Sequence, residues 1–98
     1  MKIKSEKEGT ELTVVVEGSI NAATAAELEN ELQTQCEGIT KLILDFADVG
    51  FVSSAGIRVI LWAYKRMNAH GTMTLQNVNE NVREIFDLVG LTTVLNFA

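Results

Sequence analysis

Between Glu11 and Glu17 the chain alternates, with Leu12, Val14 and Val16 on one side and Thr13 and Glu17 on the other. A period of two predicts a half-buried strand. Ile3 to Glu8 is more polar and reads as an edge strand, and Gly9-Thr10 between the two predicts a tight hairpin. The period then changes. In GSINAATAAELENELQTQCEG, Ala25, Leu28, Leu32 and Cys36 recur at helical spacing while Glu27, Glu29, Glu31 and Gln33 face away. Asn21 or Thr24 caps the start of this helix and Gly38 suits its stop.

Lys41 to Phe46, KLILDF, is almost wholly apolar, which predicts a central strand buried on both faces. After it, Ile57, Ile60, Leu61, Tyr64 and Met67 form one helical stripe, widened by Val59, Trp62 and Ala63 and ended at Gly71. This helix is expected to be the most buried. In TMTLQN, Met73 and Leu75 alternate with Thr72, Thr74 and Gln76 as a further half-exposed strand. Asn79 caps a third helix carrying Val82, Ile85, Phe86 and Val89, closed by Gly90, and Leu91 to Phe97 is an apolar tail expected to pack on the core. The order β-β-α-β-α-β-α predicts an α/β fold: a mixed, mostly parallel sheet with right-handed crossovers and an N-terminal β-hairpin. Alternation in the outer strands leaves one sheet face polar, so the helices should lie mainly on the other.

With 98 residues, no proline and no linker-like stretch, the chain is read as a single domain over residues 1–98. A net charge of −5 argues against nucleic acid and anionic lipid as partners. One cysteine allows no internal disulfide. The charged N-terminus is no secretory signal and no apolar run suffices for a membrane span, so the expected place is the cytoplasm.

The inventory for catalysis is thin. His70 stands at a helix end, where a basic group suits the dipole, and Cys36 continues an apolar stripe. A zinc site lacks its preferred ligands, and no phosphate-binding loop occurs. Asp45 and Asp48, near the end of the central strand, suggest a phosphoacceptor carboxylate at a site of ligand binding in open sheets, but a loop hydrogen bond and a turn explain them as well. VSSAG is not a nucleophile elbow. Ser53 or Ser54 suffices to cap the second helix, yet one cap needs only one serine, and small residues at Ser53-Ser54-Ala55-Gly56 also permit close approach by another protein. Cap and functional hydroxyl both remain open readings.

At these residues the chain resembles a STAS domain of the anti-sigma factor antagonist type. VEGSINAATAAELENEL is similar to the family's G-x-[LI]-[DN]-x-x-[ST] segment leading into its first helix. LILDFADVGFVSSAGIRVIL resembles its switch segment, written D-S-[ST]-G-[LI] after a strand, and ENVREIFDLVGL its penultimate helix. The resemblance covers nearly the whole chain. It implies that Ser54 is the phosphoacceptor, with Ser53 in place of the family's Asp, Ala55 in place of [ST], and Gly56 matching the glycine. It places Asn21, Thr24, Ser53, Ala55, Gly56 and Arg58 at the partner-binding surface, with Asn21 where many members carry Asp. It further implies a binding module that is not an enzyme and holds no cofactor. Its partner is an anti-sigma factor that is also an ATP- and magnesium-dependent serine kinase. Binding frees a sigma factor, phosphorylation ends the binding, and a phosphatase resets the protein, which is expected to be a monomer when free. The alternative is a non-switched STAS accessory subunit of a membrane transporter or a signalling scaffold.

Overall fold

In the computed structural model, which describes residues 2–98, the predicted hairpin joins β1 (Lys2–Glu8) to β2 (Glu11–Glu17). The two pair antiparallel from Lys2↔Glu17 to Glu8↔Glu11, and the turn is made by Gly9 at φ 61°, a conformation that costs glycine little. Then follow α1 (Ala22–Gln35), β3 (Lys41–Asp48), α2 (Ser54–Asn68), β4 (Thr72–Gln76), α3 (Glu80–Leu88) and β5 (Asn96–Phe97). The sheet order is β1-β2-β3-β4-β5, with every pair after the hairpin parallel.

Register explains where the core lies. Leu12, Leu42 and Met73 stand side by side across β2, β3 and β4, as do Val14, Leu44 and Leu75 in the next row. All six are buried, together with Leu28 and Leu32 of α1, Ile60 and Met67 of α2, and Val82 and Phe86 of α3. One sheet face therefore takes all three helices. The other face carries Thr13, Val15, Ile43, Asp45, Thr74 and Gln76, half-buried at most, as the alternation predicts.

Three expectations need correction, and the tail gains an element. Of the α2 stripe, Ile60 and Met67 are buried but Ile57, Leu61 and Tyr64 only half so, because Val59 and Ala63 share the inward face instead. β3 is central, but its second face is not covered: Ile43 and Asp45 are only half-buried, because no helix crosses that side. Val89 is not on the buried stripe of α3. It is the C-cap and 53% exposed, since the helix closes there in a Schellman turn. In that turn Gly90, at φ 75°, donates its N–H to Asp87 C=O at 3.0 Å, and Leu91 donates to Phe86 C=O at 2.9 Å. The tail does pack on the core through Leu91 and Leu95, but it also adds the short strand β5, whose Phe97 meets Phe86 edge to face with ring centroids 5.7 Å apart.

Cys36 is buried at the end of α1; burial pushes its thiol pKa up, against smaller opposing effects of Arg66 and Lys7. His70 is exposed just past α2, and its N–H donates to Met67 C=O. No helix among the described residues is long and apolar enough to cross a membrane.

Candidate functional site

Two loops meet where the parallel strands end. Ile20, after β2, and Val52, after β3, are both buried and form an isolated parallel bridge. Ile20 N–H donates to Phe51 C=O at 2.9 Å, Ser53 N–H to Ile20 C=O at 2.8 Å, and Gly18 N–H to Asp48 C=O at 3.0 Å. The residues that follow the bridge, Asn21 and Ser53, are the N-caps of α1 and α2. The hydrogen-bonded loops thus bring two helix N-termini to one edge of the sheet.

The α1 cap is reciprocal. Asn21 Oδ1 accepts from the N–H groups of Ala23 and Thr24 at 3.0 Å each, while Thr24 Oγ1 accepts from Asn21 N–H at 2.8 Å. Thr24 Oγ1 also donates to Ser19 C=O at 2.8 Å. The sequence left Asn21 and Thr24 as alternative caps; they act as one capping box.

At α2 the paired serines divide. Ser53 is half-buried, and its Oγ accepts from Gly56 N–H at 3.3 Å, satisfying an otherwise free donor of the first turn. Ser54 is the first helical residue, is exposed, and among the described residues its hydroxyl has no hydrogen-bond partner. The cap is Ser53, and the Ser54 hydroxyl takes no part in it.

Gly56 has a different role from its neighbours. It is buried, and a Cβ there would lie 2.7 Å from Ile20 Cγ2 and 2.8 Å from Val52 Cγ1. Its small size lets α2 close onto the bridge between the two loops, so the reason visible for this glycine is internal packing. Gly56→Ala is expected to cost about 1–3 kcal/mol in overpacking against about 1 kcal/mol regained in helix propensity. The net should be a lower Tm in a thermal melt, and a rise would refute the clash.

Ala55 is half-buried and Arg58 exposed, one turn along α2 from Ser54. Between α1 and α2 runs a groove of about 330 Å³, lined by Ala22, Ala25, Ala26, Ala55 and Val59 together with the polar Glu29, Asn30, Gln33 and Arg58. Phe51, in the β3–α2 loop, is 50% exposed, an outward aromatic that the sequence pattern does not mark. Nothing in the pattern FVSS marks one aromatic among buried neighbours as the outward one. Asn21, Thr24, Ser53, Ser54, Ala55 and Arg58 therefore share one edge and the adjoining helix faces, with Gly56 packed behind them.

Asp45 is half-buried at the end of β3 on the uncovered sheet face. Burial pushes its pKa up, but three hydrogen bonds outweigh this and hold the carboxyl below its ordinary value. The donors are Ala47 N–H at 3.0 Å, the Asn77 amide at 3.2 Å and the Gln76 amide at 3.1 Å. Asn77 sits at φ 57°, and its amide helps tie the β4–α3 loop to β3. A depressed folded-state pKa contributes stability that is present above the unfolded value of about 3.9 and lost as pH falls through the folded value. Asp45→Asn should therefore lower Tm at neutral pH, and its deficit should shrink below about pH 4. A deficit independent of pH would show that the ionised carboxyl is not what holds the loop.

His70 follows the C-terminal end of α2, whereas the serines stand at its N-terminus, roughly 20 Å away along the helix axis. No imidazole can activate either hydroxyl.

A family model described as STAS domain matches residues 2–98. A protein of Bordetella bronchiseptica named as an anti-sigma factor antagonist, BtrV, is 32% identical over 100 residues, covering 100% of this chain and 86% of the relative. Among solved structures, an anti-sigma factor antagonist, so described, from Thermotoga maritima superposes with a TM-score of 0.89 at 18% identity, covering 97% of this chain and 84% of that one. The phosphorylated form of SpoIIAA, a Bacillus cell fate determinant, gives 0.77 at 19% identity, with 99% and 91% covered. At these identities the two structures speak to fold alone. The sequence match runs from residue 2 to the last, and the same five-strand, three-helix fold recurs in these neighbours; the chain belongs to the STAS domain family.

Proposed function

We propose that this protein is an anti-sigma factor antagonist, a binding module that docks an anti-sigma factor on the edge formed by the N-termini of α1 and α2. The observation that carries the reading is the division of labour at Ser53 and Ser54. Ser53 completes the helix, and Ser54 presents an unengaged, exposed hydroxyl in the middle of the docking edge. The name of BtrV and the family match support the antagonist reading.

In this reading the unmodified protein binds a serine-kinase anti-sigma factor and so frees a sigma factor. The kinase, with ATP and magnesium, transfers the γ-phosphoryl group to Ser54 Oγ; the hydroxyl proton leaves and ADP is released. A phosphatase hydrolyses the ester and restores the binding form. Asn21, Thr24, Ala55, Arg58 and Phe51 form the surrounding contact surface, and the antagonist itself supplies no catalytic group. The test is incubation with the cognate kinase and ATP followed by mass spectrometry of the peptide that spans Phe51 to Arg58. One phosphate on Ser54, abolished in Ser54→Ala and retained in Ser53→Ala, is expected. A phosphate on Ser53, or none from a kinase proven active on another antagonist, would overturn the assignment.

A further inference from the structure

β1 is the edge of the sheet. It pairs with β2 on one side only, through Lys2↔Glu17 to Glu8↔Glu11, and its residues are exposed except for the half-buried Ile3 and Ser5. Alternate residues of such a strand turn N–H and C=O outward, leaving a row of unpaired backbone groups seven residues long. Charged side chains on an edge usually keep other copies away. Here their order does the opposite.

The strand reads Lys2-Ile3-Lys4-Ser5-Glu6-Lys7-Glu8. Laid antiparallel against itself about Ser5, it sets Lys2 against Glu8, Lys4 against Glu6, Ile3 against Lys7, and Ser5 against Ser5. The register with β2 places Lys2, Lys4, Glu6 and Glu8 together on the uncovered sheet face, so all four opposite-charge pairs would form there side by side. Directly opposed unlike charges favour a strand pair, and like charges oppose it. A slip of the pairing by two residues in one direction puts Lys4 against Lys4, and in the other Glu6 against Glu6. The charge pattern therefore selects one register.

From this self-complementary edge we infer that β1 pairs antiparallel with β1 of a second copy, joining two five-stranded sheets into one of ten strands. The two-fold axis passes through Ser5, perpendicular to the sheet. Both helical layers then lie on the same side. The two docking edges, at the C-terminal ends of the parallel strands, point away from each other and stay open. The interface is small and each copy carries a net charge of −5, so the pair should be weak and dependent on concentration and salt. The inference does not depend on the proposed function, and it departs from the free monomer that the family resemblance implies.

The test uses charge exchange at exposed positions, with a far-UV spectrum and melt of each variant to verify folding. Sedimentation over a range of concentrations should show a monomer–dimer equilibrium for the parent. Lys4→Glu, or Glu6→Lys, each alone, should weaken it at least about tenfold. The double variant Lys4→Glu/Glu6→Lys should restore it, and a mixture of the two single variants should form a heterodimer. Ser5→Cys, placed on the axis, should cross-link in air to a disulfide dimer, whereas Lys7→Cys should not. A parent that remains monomeric up to millimolar concentration overturns the inference. So does a dimer indifferent to the single exchanges, or one that the double exchange fails to restore.

Discussion

Ile60→Asp should unfold the protein. Ile60 has no exposed surface, and it belongs to the α2 face that packs into the single buried cluster over the sheet. Removing a buried aliphatic side chain costs about 2–5 kcal/mol. An aspartate in its place adds a carboxyl with no partner, which must be desolvated as a charge or protonated to avoid it. No buried polar or charged residue exists among the described residues to receive it. The sum rivals the total stability of about 5–15 kcal/mol expected for a domain of this size. Ile60→Val, which only removes a methylene, should cost about 0.5–1.5 kcal/mol and stay folded. Thermal melts followed by far-UV circular dichroism decide it. If the aspartate variant melts within a few degrees of the parent, the inward face of α2 is misassigned.

That face was legible only in part: of the stripe Ile57, Ile60, Leu61, Tyr64 and Met67, Ile60 and Met67 are buried and the others half-buried, while Val59 and Ala63, read as its margin, complete the inward face and Arg58, Lys65 and Arg66 lie outside. The α3 cap was equally plain, since Asn79 accepts from the Val82 N–H three residues on. Sequence pattern fails where tertiary partners decide. Ile43 looks like core, but its face of β3 has no helix over it. A two-residue strand such as β5 has no period to detect, and only β4 beside it makes it a strand. Gly56 reads as part of a small-residue surface, whereas Ile20 and Val52, distant in sequence or in a different element, are what exclude a side chain there. The serines show the same limit. The doublet announces a cap and a spare hydroxyl, but only the loop pairing around Ile20 and Val52 fixes which serine does which.

Phosphate on Ser54 should weaken docking of the anti-sigma factor at least about tenfold, or about 1.4 kcal/mol, without loosening the fold. The added group carries about −1.5 to −2 charges at pH 7. At the first residue of α2 it meets free N–H groups and the positive end of the helix dipole, which stabilise an exposed anion by about 0.3–1 kcal/mol. Arg58, one turn further, is in position to pair with it. Asp48 and the ionised Asp45 at the same edge of the sheet partly offset this gain. A partner pressed against the same edge must instead desolvate the dianion, and that cost outweighs the contacts it displaces. Ser54→Asp should weaken docking in the same direction. Ser54→Ala should bind and never be released by ATP.

The decisive measurement is a calorimetric titration of the anti-sigma factor with unmodified and Ser54-phosphorylated protein, paired with a thermal melt of each form. A phosphorylated form that binds at least about tenfold more weakly while its Tm is unchanged or higher is the predicted result. Equal affinity, or a phosphorylated form that melts far below the parent, would contradict a switch that acts on the docking edge alone.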